Sequence, residues 1–121
     1  MDEKLQIKSI IDLYIKGSRT GDSSLLKSLF AENAIMSGDL PDVKLEISSP
    51  NSFFETIDGK IADESYECEI TEINVVEDIA WATLKENNLL GLNFINNFQF
   101  QRSENEWKII SKLFTSWVSS T

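Results

Sequence analysis

From Tyr66 to Trp117 the sequence alternates at period two, in runs at 66–76, 79–86, 92–102 and 107–117 separated by Glu77-Asp78, Asn87 to Gly91 and Ser103 to Glu106. Alternation puts successive side chains on opposite faces of a strand, and the polar, turn-forming breaks join each strand to the next. The spacing predicts four antiparallel strands in a meander. In the first run Tyr66, Cys68 and Ile70 share one parity whereas Ile73 and Val75 share the other. A bulge near Thr71-Glu72 reconciles them, and a bulge bends a sheet.

The first 65 residues follow a different period. Ile7, Ile10, Ile11 and Tyr14 fall at i, i+3, i+4 and i+7, an amphipathic helical stripe ending near Gly17 to Gly21. Asp22 stands where an N-cap belongs, ahead of Leu25, Leu26, Leu29 and Phe30. Ala34 to Ser37 and Leu45 to Ser48 read as short strands. Pro50 opens a third helix whose apolar face is Phe53, Phe54 and Ile57 and whose end is Gly59. Three helices on the concave face of a bent antiparallel sheet form a cone around a pocket, so the expected fold class is α+β. The length of 121 residues suits a single domain over 1–121.

Charge narrows the function. Eleven Lys plus Arg face 20 Asp plus Glu, a formal charge of -9, with no basic cluster. Counterion release on a phosphate backbone needs such a cluster, so nucleic acid is not an expected partner, nor is an anionic membrane surface. With no His and one Cys, the chain lacks the ligands of a zinc site and the imidazole of a nucleophilic triad; no metal and no cofactor are expected. Cys68, between Glu67 and Glu69, reads as a packing residue whose neighbours raise its pKa. The single unpaired Cys and the charged start Asp2-Glu3-Lys4, with no long apolar run, predict a cytoplasmic protein without signal peptide or membrane span.

Two stretches resemble a known family. Tyr14-Ile15, Gly21-Asp22, Leu29-Phe30-Ala31 and Ala34 are similar to the tyrosine-bearing first helix, the Gly-Asp turn and the entry to strand one of the nuclear transport factor 2-like superfamily. Phe94 to Phe114, with Asn96, Phe98, Phe100, Glu106-Trp107-Lys108-Ile109-Ile110 and Lys112-Leu113-Phe114, resembles its last hairpin. The superfamily includes ketosteroid isomerase, the SnoaL-like cyclases and a lumazine-binding branch, the last being nearest in appearance. The resemblance implies a cystatin-like cone, cone-shaped and curved, with three helices on its concave face. It also implies roles: Tyr14 matches the tyrosine that donates to the substrate oxygen in the isomerase, and Asn96 falls where that enzyme has a protonated aspartic acid. Asp39 lies one residue past the position of its general base.

Each candidate carries a bland and a functional reading. Tyr14 is either a core phenol bonded to backbone or water, or a neutral donor aimed into the pocket. Asn96 shares parity with Phe94, Phe98 and Phe100; it either bonds Tyr14 or a loop carbonyl, or contacts a ligand. Asp39 follows Gly38 in a turn, so it either bonds backbone nearby or acts as a base. Glu86 and Arg102 end their strands, which predicts a rim ion pair or, alternatively, an Arg102 that anchors an acidic ligand. Phe53, Phe54, Phe94 and Phe98 either line the pocket or fill it.

Three function classes follow: a module that binds a partly aromatic or carbonyl-bearing small molecule; a cofactor-free isomerase, dehydratase or cyclase using Tyr14, Asn96 and Asp39 as catalytic residues; and a structural subunit with a self-filled pocket. Apolar residues also appear on the opposite strand faces, at Ile79 and Trp81 and at Ile110 and Phe114. A homodimer through the convex sheet face (Trp81, Ile110, Phe114) is therefore expected.

Overall fold

The computed structural model describes residues 2–120. Helix α1 (Glu3–Thr20) is capped by Asp2, whose carboxylate accepts from the Lys4 N–H at 2.9 Å. It ends at Gly21, in the left-handed conformation at φ 70°. Asp22 then caps α2 (Ser23–Ser28) through the Leu25 N–H at 3.0 Å, as the spacing predicts. Strand β1 (Phe30–Leu40) is far longer than its Ala34–Ser37 signal, and β2 (Val43–Ser48) pairs back onto it. Helix α3 (Asn51–Ile57) takes Pro50 as its N-cap, so it begins one residue later than expected.

Strands β3 (Glu67–Val76), β4 (Ile79–Leu89), β5 (Leu92–Ser103) and β6 (Glu106–Val118) form the expected meander. The six-stranded sheet has the order β2-β1-β6-β5-β4-β3, with β1 and β6 parallel and every other pair antiparallel. The β3–β4 register shifts between Ile70 and Glu72, where the change of parity requires it. Helix α1 packs across β3 and β4 on the concave side, and its stripe residues Ile7, Ile11 and Tyr14 are buried there.

A second bulge was not foreseen. Gln99 pairs with Ser111 but Phe100 pairs with Ile109, leaving Ile110 as the extra residue of β6. Trp107 and Ile109 before the bulge thus share the inner face with Lys112 and Phe114 after it, and all four are buried. Phe114 is therefore not a convex-face residue: its ring packs edge-on against Phe94 at 5.7 Å. Leu113 takes the outer position and is 58% exposed.

Candidate functional site

The inner face of the sheet is apolar except at a few points. From β4 it receives Ala80, Ala82, Leu84 and Glu86, from β5 Phe94, Asn96, Phe98 and Phe100, and from β6 Lys112 and Phe114. Glu86, Asn96 and Lys112 are 1%, 0% and 3% exposed, burial that charged and amide groups accept only with partners. Tyr66 Oη donates to Glu86 Oε2 at 2.5 Å, and Asn96 Nδ2 donates to Glu86 Oε1 at 2.7 Å and to the Leu84 carbonyl at 3.3 Å. Each carboxylate oxygen thus has a donor of its own.

Lys112 is held differently. Its Nζ lies 3.6 Å from the ring centroid of Phe53, 4.9 Å from that of Phe114 and 5.7 Å from that of Tyr14, a cation resting on π faces. Among the described residues no carboxylate reaches within 4.0 Å of it. Burial pulls its pKa down to about 8, and the Glu86 charge only partly opposes this. Burial also raises the Glu86 carboxyl, against the opposing effects of Tyr66, Lys112 and Asn96.

The depressed lysine pKa sets a pH dependence. Its folded value of about 8 lies below the ordinary 10.5, so between those values the unfolded chain binds more protons and stability rises with pH. The gain is at most about 1.4 kcal/mol for each pH unit climbed within that window. Urea unfolding from pH 8 to pH 10 should show wild type gaining relative to Lys112→Met. Parallel pH profiles for the two proteins would contradict the assignment.

Between α3, β2 and the β4–β5 turn lies a cleft of about 470 Å³. Leu40, Leu45, Phe53, Ile57, Leu92 and Phe94 are among its walls, and Glu86 and Lys112 supply charged groups to it. A shape of this size with an apolar lining and few polar groups is what small-molecule sites have in common.

The sequence candidates meet this cleft unevenly. Phe53 and Phe94 line it. Tyr14 is wholly buried behind Phe53, stacked on it at 5.7 Å and edge-on to Phe98 at 4.9 Å. Its hydroxyl has no hydrogen-bond partner of good geometry among the described residues; burial, then Glu86, raises its pKa, and Ser18 partly opposes them. Phe54 packs into the core against Phe30 at 5.2 Å. Asn96 reaches the cleft only through Glu86.

Asp39 is carried away from the pocket. Met36 and Leu40, of one parity on β1, line the cleft, while Asp39 shares the other parity with Ile35 and Ser37; its main-chain carbonyl accepts from Ser116 Oγ at 2.7 Å. Tyr14, Asp39 and Asn96 do not converge on one space. The expected Glu86–Arg102 rim pair is also absent, because β4 runs on to Leu89 and Glu86 stands inside the cone. Arg102 instead bonds Asp78 at 2.8 and 3.0 Å and meets Glu3 at 3.2 Å, with its guanidinium over Trp107, and does not line the cleft. Cys68 is raised to about 11 by burial first and by Glu86, not by Glu67 or Glu69.

Lys112 was the residue missed. The signal was present: Trp107 and Ile109 have one parity and Phe114 the other, a conflict of the same kind as the one that revealed the bulge in β3. Resolving it would have put Lys112 beside Phe114 on the inner face.

A curved six-stranded sheet wrapped on three helices, with a cleft at its concave side, is the fold of the nuclear transport factor 2-like proteins. The chain belongs to the family described as "Putative lumazine-binding", whose sequence profile matches residues 2–115. No curated protein is similar enough in sequence to match it. Among solved structures it is similar to a nuclear transport factor 2-like protein of unknown function from Shewanella baltica OS155, at 24% identity and TM-score 0.88 over 97% of this chain and 95% of that one. A second such protein, from Methylobacillus flagellatus KT, has 18% identity and TM-score 0.88 over 98% and 94% of the two chains. One from Streptomyces avermitilis, described as a "putative dehydratase", has 19% identity and TM-score 0.68 over 97% of both. At these identities the likeness is one of fold.

Proposed function

We propose that this chain binds a small, partly aromatic or carbonyl-bearing molecule in the cleft, with Lys112 and Glu86 as its polar contacts. The observation that carries this reading is a buried ammonium on the wall of an apolar cleft, resting on aromatic rings, with no hydrogen bond to any described residue. An acceptor oxygen on a flat, apolar body would satisfy it. The family description suggests lumazine, a bicyclic ring system with carbonyl groups, as the first molecule to test. Calorimetric titration with lumazine and with 2-naphthylmethanol should show saturable binding of at least one, lost in Leu45→Trp, which fills the cleft, and weakened about tenfold in Lys112→Met, as the loss of one hydrogen bond to a charged group implies. Absence of saturable binding by either compound would count against the reading. The separation of Tyr14, Asp39 and Asn96 favours binding over a reaction run by those three, and the open volume favours it over a self-filled pocket.

The same reading includes a cytoplasmic homodimer. Its support is the outer sheet face, where Ile35, Ile47, Trp81 and Leu113 border a concavity of about 450 Å³ and are all exposed. A two-fold axis would let this surface cover itself. Trp81→Ala should weaken the dimer by about 2 kcal/mol or more, roughly thirtyfold in Kd. Sedimentation of the wild type as a monomer at micromolar concentration would remove the dimer and the Trp81 assignment together.

A further inference from the structure

We propose, on the basis of the cleft being a ligand site, that Lys112 captures aldehyde or ketone ligands covalently, its amine condensing with the carbonyl carbon to form an imine at the foot of the cleft. The geometry is that of a reactive amine rather than a structural cation. A lysine kept for charge pairing would be bonded to Glu86, yet both oxygens of Glu86 are taken by Tyr66 and Asn96. Lys112 Nζ is left on the π faces of Phe53, Phe114 and Tyr14, which hold it without engaging the lone pair it has when neutral. Lysines desolvated in this way are the ones that form Schiff bases.

Desolvation sets the reactive fraction. With its pKa near 8, about a tenth of Lys112 is neutral amine at pH 7, on the order of a hundred times the fraction in a solvated lysine. The ionisable groups facing it are Glu86 of β4 and Tyr14 of α1; Tyr66, just before β3, and Cys68 of β3 stand behind Glu86, and Lys60 lines the cleft after α3.

The step balances without an outside reagent. The neutral nitrogen attacks the carbonyl carbon, an N–C bond forms and the π pair moves to oxygen, which takes up the proton that the nitrogen loses. The resulting hydroxyl leaves as water with a proton from solvent in the open cleft, the nitrogen lone pair closes the C=N bond, and the iminium nitrogen returns one proton to solvent. An amine and a carbonyl become an imine and one water.

The test uses the intact chain, 2-naphthaldehyde and sodium cyanoborohydride, which fixes the iminium as a stable amine. Peptide mass mapping should locate the adduct at Lys112, formed at least tenfold faster than at any of the other eight lysines, none of them buried. The rate should follow the neutral fraction upward toward pH 8, and the selectivity should vanish in urea. Adducts spread over the exposed lysines in native protein would overturn the proposal. So would an unmodified Lys112 in a protein that still binds 2-naphthylmethanol; that result leaves the ligand site standing and removes only the covalent step. Failure of both aldehyde and alcohol to bind would remove the ligand site as well. Because mapping is done on wild type, the result does not depend on whether a Lys112 variant folds.

Discussion

Glu86→Ala should destabilise the protein by about 2 to 6 kcal/mol, since two buried donors would each be left without an acceptor at about 1 to 3 kcal/mol apiece. The loss is large because three groups depend on this carboxylate. Lys112 would lose the carboxylate whose charge supports its own, while the Tyr66 hydroxyl and the Asn96 amide would each lose an acceptor. The share of the cost that comes from Lys112 should be recovered by removing its charge as well, whereas the share from Tyr66 and Asn96 should remain. Glu86→Leu combined with Lys112→Met replaces both ions with apolar groups of similar size, so it should be less destabilised than the sum of the two single variants. A urea-unfolding cycle over wild type, the two single variants and the double variant measures the coupling directly. Additive single effects would mean that Glu86 and Lys112 do not sense each other. The double variant should also lose ligand binding while it keeps its fold, which separates the role of the pair in stability from its role in the cleft.

Gly21→Ala should cost about 3 kcal/mol for a different reason. Gly21 holds φ 70°, where a Cβ adds roughly 1 to 2 kcal/mol of local strain. That Cβ would also stand 2.5 Å from both the N and the O of Lys60, main-chain atoms that cannot rotate aside, and forced overpacking costs a further 1 to 3 kcal/mol or so. The contact is tight because the end of α1 is clasped to the chain leaving α3: Gly59 N–H donates to the Gly21 carbonyl at 2.9 Å and Ala62 N–H to that of Arg19 at 2.9 Å. Gly59→Ala is the control. Gly59 has φ 72°, but nothing lies within 4 Å of its added Cβ, so it should show the conformational part alone. Equal losses in the two variants would show that the clasp contributes nothing. Because the clasp anchors α3, which carries Phe53 over Lys112, Gly21→Ala should also weaken ligand binding more than Gly59→Ala does.

The order of elements was legible in the chain because it rests on local chemistry. Ile7, Ile11 and Tyr14 make a helix stripe whatever they pack against, Asp22 caps through its own neighbours, and the parity break from Ile70 to Ile73 demands a bulge in any sheet. Phe94, Asn96 and Phe98 were placed on the inner face for the same reason, since β5 alternates without interruption over that stretch. The Tyr14 to Ala34 and Phe94 to Phe114 stretches were enough to suggest the family that the sequence profile then matched.

Which polar groups meet was settled only in three dimensions. Periodicity assigns a residue to a face but not to a depth along the cone, so Glu86 read as the end of a strand when it lies where β5 brings Asn96, and the chain entering β3 brings Tyr66, to it. Arg102 read as its partner but lies at the other end of the sheet, with Asp78 and Glu3. Asp39 was displaced by a single step of parity on β1, which sends neighbouring side chains to opposite faces. Lys112 depended on the bulge at Ile110, a feature of how β5 and β6 pair. Elements and family were thus written in the chain, because capping, periodicity and turn chemistry act over a few residues. The site was not, because the burial that perturbs Glu86 and Lys112 is produced by residues from α1, α3 and five strands that have no proximity until the cone closes.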